Sequence, residues 1–275
     1  MMRKKKFYFV VPVLAFVLLL CNCFSVWANG VDDFELIISD IMEEQRTSYS
    51  DDSEFYREAE GKGLSFDELL RQKAVSAYYT REELGISAIV PYDIGNNGLC
   101  LYTNVPLIQQ TKTYNCGPTA VLQVLYGMGC QNQVAGQTNE EKISQLEKDC
   151  CTNKEDGTIV WKLTNTLNKY TTRADYRYIL GSGMTMEDFQ KKVETSLFYN
   201  VAPILHARTQ YLDYYNGHKS GHYIAVCEVD NSTKKIRVQD CNCNNNYYGQ
   251  HTVPIEEAFR SINVESSRYL ICMNY

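Results

Sequence analysis

Beyond Leu20 the sequence has no apolar run long enough to cross a bilayer, and it carries no net basic charge. The first absence excludes a membrane span after the N-terminus. The second argues against a general nucleic-acid or anionic-membrane binder, since the formal charge is −6. Histidine is scarce, with four residues in 275. Close Cys/His pairs are scarcer still. Cys241 and Cys243 are separated by one residue and no second pair follows, so the spacing of a zinc site is missing. There is no internal repeat.

What is present begins with an export signal. Arg3, Lys4, Lys5 and Lys6 precede an apolar run from Phe7 to Leu20, and Val26-Trp27-Ala28 offers a small-residue cleavage site. The sequence therefore predicts a signal peptide over 1–28 and a secreted or extracytoplasmic (cell-surface) protein. It predicts no stable membrane insertion after cleavage. Removing the four basic residues takes the charge of the 247 remaining residues to −10. Nine of the eleven cysteines lie beyond the signal. Disulfides are permitted outside the cell, and buried free thiols are the alternative; pairing cannot be deduced from spacing.

Residues 30–83 hold fifteen acidic and six basic side chains. Phe34, Ile37, Ile38 and Ile41 fall at helical spacing, and Ser65-Phe66-Asp67-Glu68 reads as a capping box opening a second helix. The segment 29–95 is thus expected to be a helical N-terminal region, either a structural extension or an inhibitory propeptide. Tyr92 to Asn97 reads as a linker, and the main domain is assigned to 96–275. Helices are expected over Thr119–Tyr126, Asn139–Cys150, Ile159–Tyr170 and Met186–Tyr199. Strands are expected over Ala202–Arg208, His222–Val229, Lys235–Asp240 and Tyr269–Met273, with a short helix from Pro254 through Phe259. Helices followed by clustered strands imply an α+β fold with an antiparallel sheet.

The strongest chemical signal is Gln110-Thr-Lys-Thr-Tyr-Asn-Cys116-Gly-Pro-Thr-Ala. Pro118 suits a first helical turn, and Ala120, Val121, Leu122, Val124 and Leu125 predict a buried helix. Cys116 at its start would have the thiolate favoured by the helix dipole. The Cys116 N–H is free to hold an oxyanion, Gln110 can supply a second donor, and Gly117 leaves room for substrate. A buried capping cysteine is the bland alternative.

His222 weakens that alternative. It opens a strand after Gly221, and Asp240 ends the next strand. Alternation puts Ile224 and Val226 with His222, and Ile236 and Val238 with Asp240, so both sets are expected on one buried face. A hairpin pairing Glu228 with Lys234 would place His222 opposite Asp240, connected through Val229–Thr233. The carboxylate would then orient the imidazole. His218 and His206 are fallback bases; Asp230 and Asn242 are fallback orienters.

Together, Gln110-x5-Cys116-Gly-Pro-Thr-Ala, Gly221-His222-Tyr and Val238-Gln-Asp240 resemble the C39-like branch of papain-like cysteine peptidases. The resemblance spans roughly Val105 to Tyr275. It implies a papain-like fold, with a helical half packed on an antiparallel sheet. It also implies a Cys116–His222–Asp240 triad with Gln110 in the oxyanion hole. The reaction implied is hydrolysis of a peptide or protein substrate through a thioester, needing no metal or cofactor and involving no nucleic acid. A cell-wall peptide amidase using the same residues, or a catalytically silent peptide-binding module, are the other readings. Where relatives often carry Asp-Pro, this chain has Asp240-Cys241-Asn-Cys243.

Overall fold

A computed structural model describes residues 34–85, 100–172 and 174–275. The signal segment 1–28 and the 92–97 linker lie outside the described residues. Three helices come first: α1 (34–49), α2 (Ser53–Lys62) and α3 (Phe66–Leu84). The Ser65 capping box forms as expected, with Glu68 Oε2 accepting from the Ser65 N–H at 2.7 Å. Gly63, at φ 67°, closes α2 in the left-handed conformation that a side chain would strain.

The rest builds one antiparallel sheet flanked by helices: β1 (Cys100–Tyr102), α4 (Cys116–Gly127), α5 (Asn139–Asp149), α6 (Val160–Tyr170), β2 (Tyr176–Leu180), α7 (Met186–Phe198), β3 (Ile204–Arg208), β4 (Gly221–Asp230), β5 (Lys235–Asp240), β6 (Gly249–Pro254), α8 (Ile255–Asn263) and β7 (Tyr269–Met273). The strand order is β2-β7-β3-β4-β5-β6, and β1 pairs with the far end of β4. Thr138 and Thr185 cap α5 and α7 through the boxes their sequences spell.

Helices cover both faces of the sheet. One face sets Tyr223, Ala225 and Cys227 of β4 against Ala120, Val121 and Val124 of α4. The other sets Ile224, Val226 and Val229 against α7 and α8. Strand β4 is therefore buried on both sides over most of its length.

The N-terminal helices share the first of these cores. Tyr49, Phe55, Leu69 and Leu70 are all 1% exposed or less and belong to the same cluster as Tyr178 and Tyr269. Polar contacts stitch the same seam. Glu58, fully buried, takes a hydrogen bond from Tyr178 Oη at 2.6 Å and pairs with Lys73 at 3.0 Å. Asn274 accepts from Gln45 at 3.0 Å and donates to the Lys73 carbonyl at 2.9 Å.

The β4–β5 register differs from the expected one. Val226 pairs with Val238, but Glu228 pairs with Arg237 and Asp230 with Lys235, with a bulge between Val226 and Glu228. Strict alternation would have driven Glu228 into the α7–α8 core. The extra residue turns Val229 inward instead and frees Glu228 to meet Arg237 at 2.9 Å. The connection shrinks to Asn231–Lys234. Asp230 accepts from the Ser232 and Thr233 N–H groups, and Lys234 takes a left-handed φ of 54°.

All nine described cysteines are free thiols, and Cys130, Cys150, Cys227, Cys241 and Cys272 are buried. No described helix is long and apolar enough to cross a membrane.

Candidate active site

Helix α4 begins at Cys116 itself, three residues earlier than its apolar run suggests. Asn115 sets the start. Its side chain accepts from the Lys112 N–H at 3.0 Å and donates to Thr111 Oγ1 and Glu147, folding the 111–115 turn against α5. The first N–H groups of a helix have no intrahelical partner and carry the positive end of its dipole. The Gly117 N–H and the N–H of Tyr223 on β4 both favour the Cys116 thiolate.

Gly117 is buried, and the reason is not substrate access. A Cβ there would lie 2.5 Å from Thr158 Oγ1. The glycine lets the loop before α6 sit over the helix start, and the Tyr223 hydroxyl fixes that loop by donating to the Thr158 carbonyl at 2.8 Å.

His222 is 4% exposed, and its Nε2 lies 2.9 Å from Asp240 Oδ1. With Nε2 committed to the carboxylate, Nδ1 is the ring nitrogen left for the thiol of Cys116, whose thiolate the His222 charge favours. Asp240 accepts four hydrogen bonds. Oδ1 takes His222 and the Asn242 N–H at 2.9 Å; Oδ2 takes Tyr214 Oη at 2.8 Å and Tyr215 Oη at 2.7 Å. That fills the acceptor capacity of a carboxylate.

The electrostatics follow. Burial pushes the Asp240 carboxyl up, but the His222 charge and these donors outweigh it and hold it below the usual value. Burial disfavours the His222 cation, yet Asp240, Tyr215 and Cys116 raise it well above an ordinary histidine. Burial also disfavours the Cys116 thiolate, and again the His222 charge and hydrogen bond and the two backbone N–H groups win, so the thiol lies below its ordinary value.

A second thiol touches the same histidine and behaves oppositely. Cys241 is fully buried, with its Sγ 3.6–3.7 Å from Gln110 Oε1, the Cys116 carbonyl and the Tyr223 carbonyl. Burial pushes it up to about 11 despite a hydrogen bond with His222. It stays a neutral tether joining the three segments of the site.

Gln110 is buried beside this thiol. Its main-chain N–H donates to the Cys241 carbonyl at 2.7 Å and its Nε2 to the Lys112 carbonyl at 2.7 Å. One amide hydrogen of Nε2 is thereby used and one is left.

The fallback residues are elsewhere or in other roles. His218 stacks on Tyr247, and Asp230 serves the hairpin turn. Asn242 props the site, donating through its N–H to Asp240 and through Nδ2 to Tyr215 Oη at 3.0 Å. His206 is stacked on Tyr223 and Tyr269, and burial with Arg268 beside it depresses it well below an ordinary histidine. Tyr214 and Tyr215 were not expected. They stand on the 3₁₀ turn Asp213–Tyr215 between β3 and β4, where no sequence period applies.

A cleft of about 590 Å³ reaches Cys116, and Glu54 and Arg57 of α2 form part of its wall. Among the described residues no group of three or more His, Cys, Asp or Glu side chains is placed to hold a metal.

A thiol at a helix start, beside a histidine that leads a strand of an antiparallel sheet, is the arrangement of an α+β, papain-like cysteine peptidase. Residues 102–269 match the Peptidase_C39 like family, and the chain belongs to it. Among solved structures it is similar to a double glycine motif protease from an AMS/PCAT transporter, crystallised with its leader peptide. That similarity is 17% identity and a TM-score of 0.42, over 63% of this chain and 94% of the other. No curated protein matches the chain.

Proposed function

We propose that the protein is an exported cysteine peptidase with Cys116 as nucleophile, His222 as base and acid, Asp240 as orienter and Gln110 as oxyanion donor. The observation that carries this reading is the buried His222–Asp240 pair at 2.9 Å, its carboxylate fixed by four donors, beside the Cys116 thiol that opens α4. Cys116 is drawn down toward thiolate while Cys241 is pushed up to about 11. Environments that drive neighbouring titratable groups apart assign their roles, and here only one sulfur is made nucleophilic.

The Cys116 thiolate attacks the peptide carbonyl carbon, and the carbonyl π electrons move to oxygen. We assign that oxyanion to the Cys116 N–H and the remaining Gln110 Nε2 hydrogen. The tetrahedral species collapses, the C–N bond breaks, and the amine leaves with the proton held by His222. Water then attacks the thioester and gives its proton to His222. The acid product departs and the Cys116–His222 pair is restored. Asp240, fixed by four donors, keeps the ring oriented and its charge compensated throughout.

The 29–95 region is proposed to be a permanent wall of the domain rather than a detachable inhibitor, because its apolar side chains complete the main core. Residues 1–28 are proposed to direct export. The test is profiling on a peptide library, with mass detection of the acyl-enzyme. Cleavage lost in Cys116→Ala and an adduct on Cys116 are expected. Cleavage that persists in Cys116→Ala would overturn the reading.

A further inference from the structure

The structure assigns to the cleft beside Gly221 a carboxylate-binding subsite anchored by Arg268, so that the preferred peptide carries a carboxylate close to the scissile bond. This rests on the peptidase reading above and names its substrate class.

Arg268 is only 9% exposed, yet it lines the same cleft as Cys116. Its Nη2 stands over Gly221, where an added Cβ would lie 3.1 Å from it. Gly221 precedes His222, so this guanidinium sits one residue along β4 from the proposed base. Its hydrogen bonds run from Nη1, to His206 Nε2 at 3.1 Å and the Ser267 carbonyl at 2.9 Å, and Nε is buried with no partner. The only carboxylate paired with Arg268 among the described residues is Glu265, at 3.8 Å from Nη2.

Glu265 is already committed. Arg208 Nε holds both its oxygens at 2.9 Å, and Arg208 Nη2 closes on it further. Two guanidiniums thus share one carboxylate, and Arg268 has no carboxylate of its own. Glu54, on the α2 wall, is taken by Arg57 at 2.8 Å. Glu155 and Asp156, which also line the cleft, form no ion pair with Arg268 and lie in the exposed turn closed by the Asn153–Gly157 bridge. A buried, under-neutralised guanidinium is costly unless an anion completes it, and its planar fork matches a carboxylate. His206, neutral and stacked between Tyr223 and Tyr269, holds that fork toward the cleft.

The carboxylate has two sources, an Asp or Glu side chain or the C-terminus of the substrate. Paired peptides that differ only as Glu against Gln at each position near the cleaved bond, and as free acid against C-terminal amide, separate them. The wild-type full chain should show a kcat/KM ratio on the order of 10–100-fold in favour of one carboxylate form, carried mainly by KM. Arg268→Gln should bring that ratio close to one, while Arg268→Lys should keep part of it. If Arg268→Gln does not fold, the wild-type ratio with Arg268→Lys decides. A wild-type ratio near one for every pair would overturn the subsite and leave the peptidase standing. An absence of any Cys116-dependent cleavage across the library would remove the peptidase reading, and the subsite with it.

Discussion

His222 and Asp240 meet at 2.9 Å although they are not opposite each other on the β4–β5 ladder. Val226 pairs with Val238 and Ala225 with Gln239, so Asp240 falls level with Ile224 and reaches His222 diagonally. Diagonal neighbours on one face remain within reach of long side chains. The pair survives because its register sum stays even before the bulge, which keeps both side chains on one face.

The triad makes the first prediction. Cys116→Ala and His222→Ala should each abolish hydrolysis while thermal unfolding stays cooperative, since neither residue anchors a core cluster alone. Asp240→Asn should be less severe in hydrolysis but worse in stability. It leaves the Tyr214 and Tyr215 hydroxyls with fewer acceptors in a buried site, at a cost of about 1–3 kcal/mol. Calorimetry with single-turnover kinetics on the same three variants checks this. A fully active His222→Ala would exclude the assigned base.

How much of this the sequence discloses depends on periodicity. The body of α4, the capped helices α5 and α7, and strands β4, β5 and β7 are legible, because apolar periods and caps determine them. Strand β2 was missed because Tyr176–Leu180 is buried on both faces and does not alternate. Strand β6 was missed because Gly249–Pro254 is mostly polar and ends in proline. The bulge was signalled only by Glu228 falling on an otherwise apolar face. Tyr214 and Tyr215 gave no signal, since an irregular connection carries no pattern linking it to Asp240.

Because Cys116 lies below and His222 above their ordinary values, the pair should exist as thiolate and imidazolium across neutral pH. Alkylation of Cys116 by iodoacetamide should stay fast well below the ordinary thiol range and slow only when acid protonates the pair. On the alkaline side alkylation and hydrolysis should part. Loss of the His222 proton leaves the thiolate but removes the acid for the leaving amine. Coinciding alkaline limbs in the two profiles would contradict this. The same shifts bound stability. The His222 contribution is present below its unfolded value and is lost as pH rises through the raised folded value. The Asp240 contribution is present above its unfolded value and is lost as pH falls through the lowered one.

Gln110→Ala should lower kcat by about 10²–10³-fold if its spare amide hydrogen acts only in the transition state. KM should change little, because uniform binding would alter KM instead. Gln110 also anchors the 110–112 turn by donating to the Lys112 carbonyl and accepting from Cys241, so Gln110→Glu is measured beside it. It keeps the volume and the acceptor toward Cys241 but removes both Nε2 donors, so its thermal midpoint is read together with kcat. Unchanged kcat in Gln110→Glu would remove Gln110 from the oxyanion site.

Tyr215 supports Asp240 from within the core, donating to Oδ2 at 2.7 Å and accepting from Asn242 Nδ2 at 3.0 Å. Tyr215→Phe keeps the ring stacked on Tyr247 but deletes one of four donors to the carboxylate. A hydrogen bond to a charged group contributes about 1.5–3 kcal/mol. Asp240 should therefore protonate at higher pH, and the acid loss of stability should move upward. An unmoved acid unfolding midpoint in Tyr215→Phe would mean that Tyr214, Asn242 and His222 hold the carboxylate without it.

Deleting the N-terminal helices tests whether they are wall or inhibitor. A propeptide should come away and leave a better enzyme. Here Tyr49, Phe55, Leu69 and Leu70 lie in one cluster with Tyr178 and Tyr269, and burying each such side chain contributes roughly 1.5–3 kcal/mol. Their loss would also strip Glu58 from Tyr178, Asp52 from Tyr269 and Lys73 from Asn274. A typical domain has only about 5–15 kcal/mol to lose. A chain starting after residue 95 should therefore fail to fold. A chain nicked within 86–95 should keep its helices docked and its activity unchanged, because the break leaves this interface untouched. Two measurements decide it: co-elution of the fragments in gel filtration, and kcat/KM before and after nicking. A soluble 96–275 fragment more active than the full chain would establish the propeptide instead.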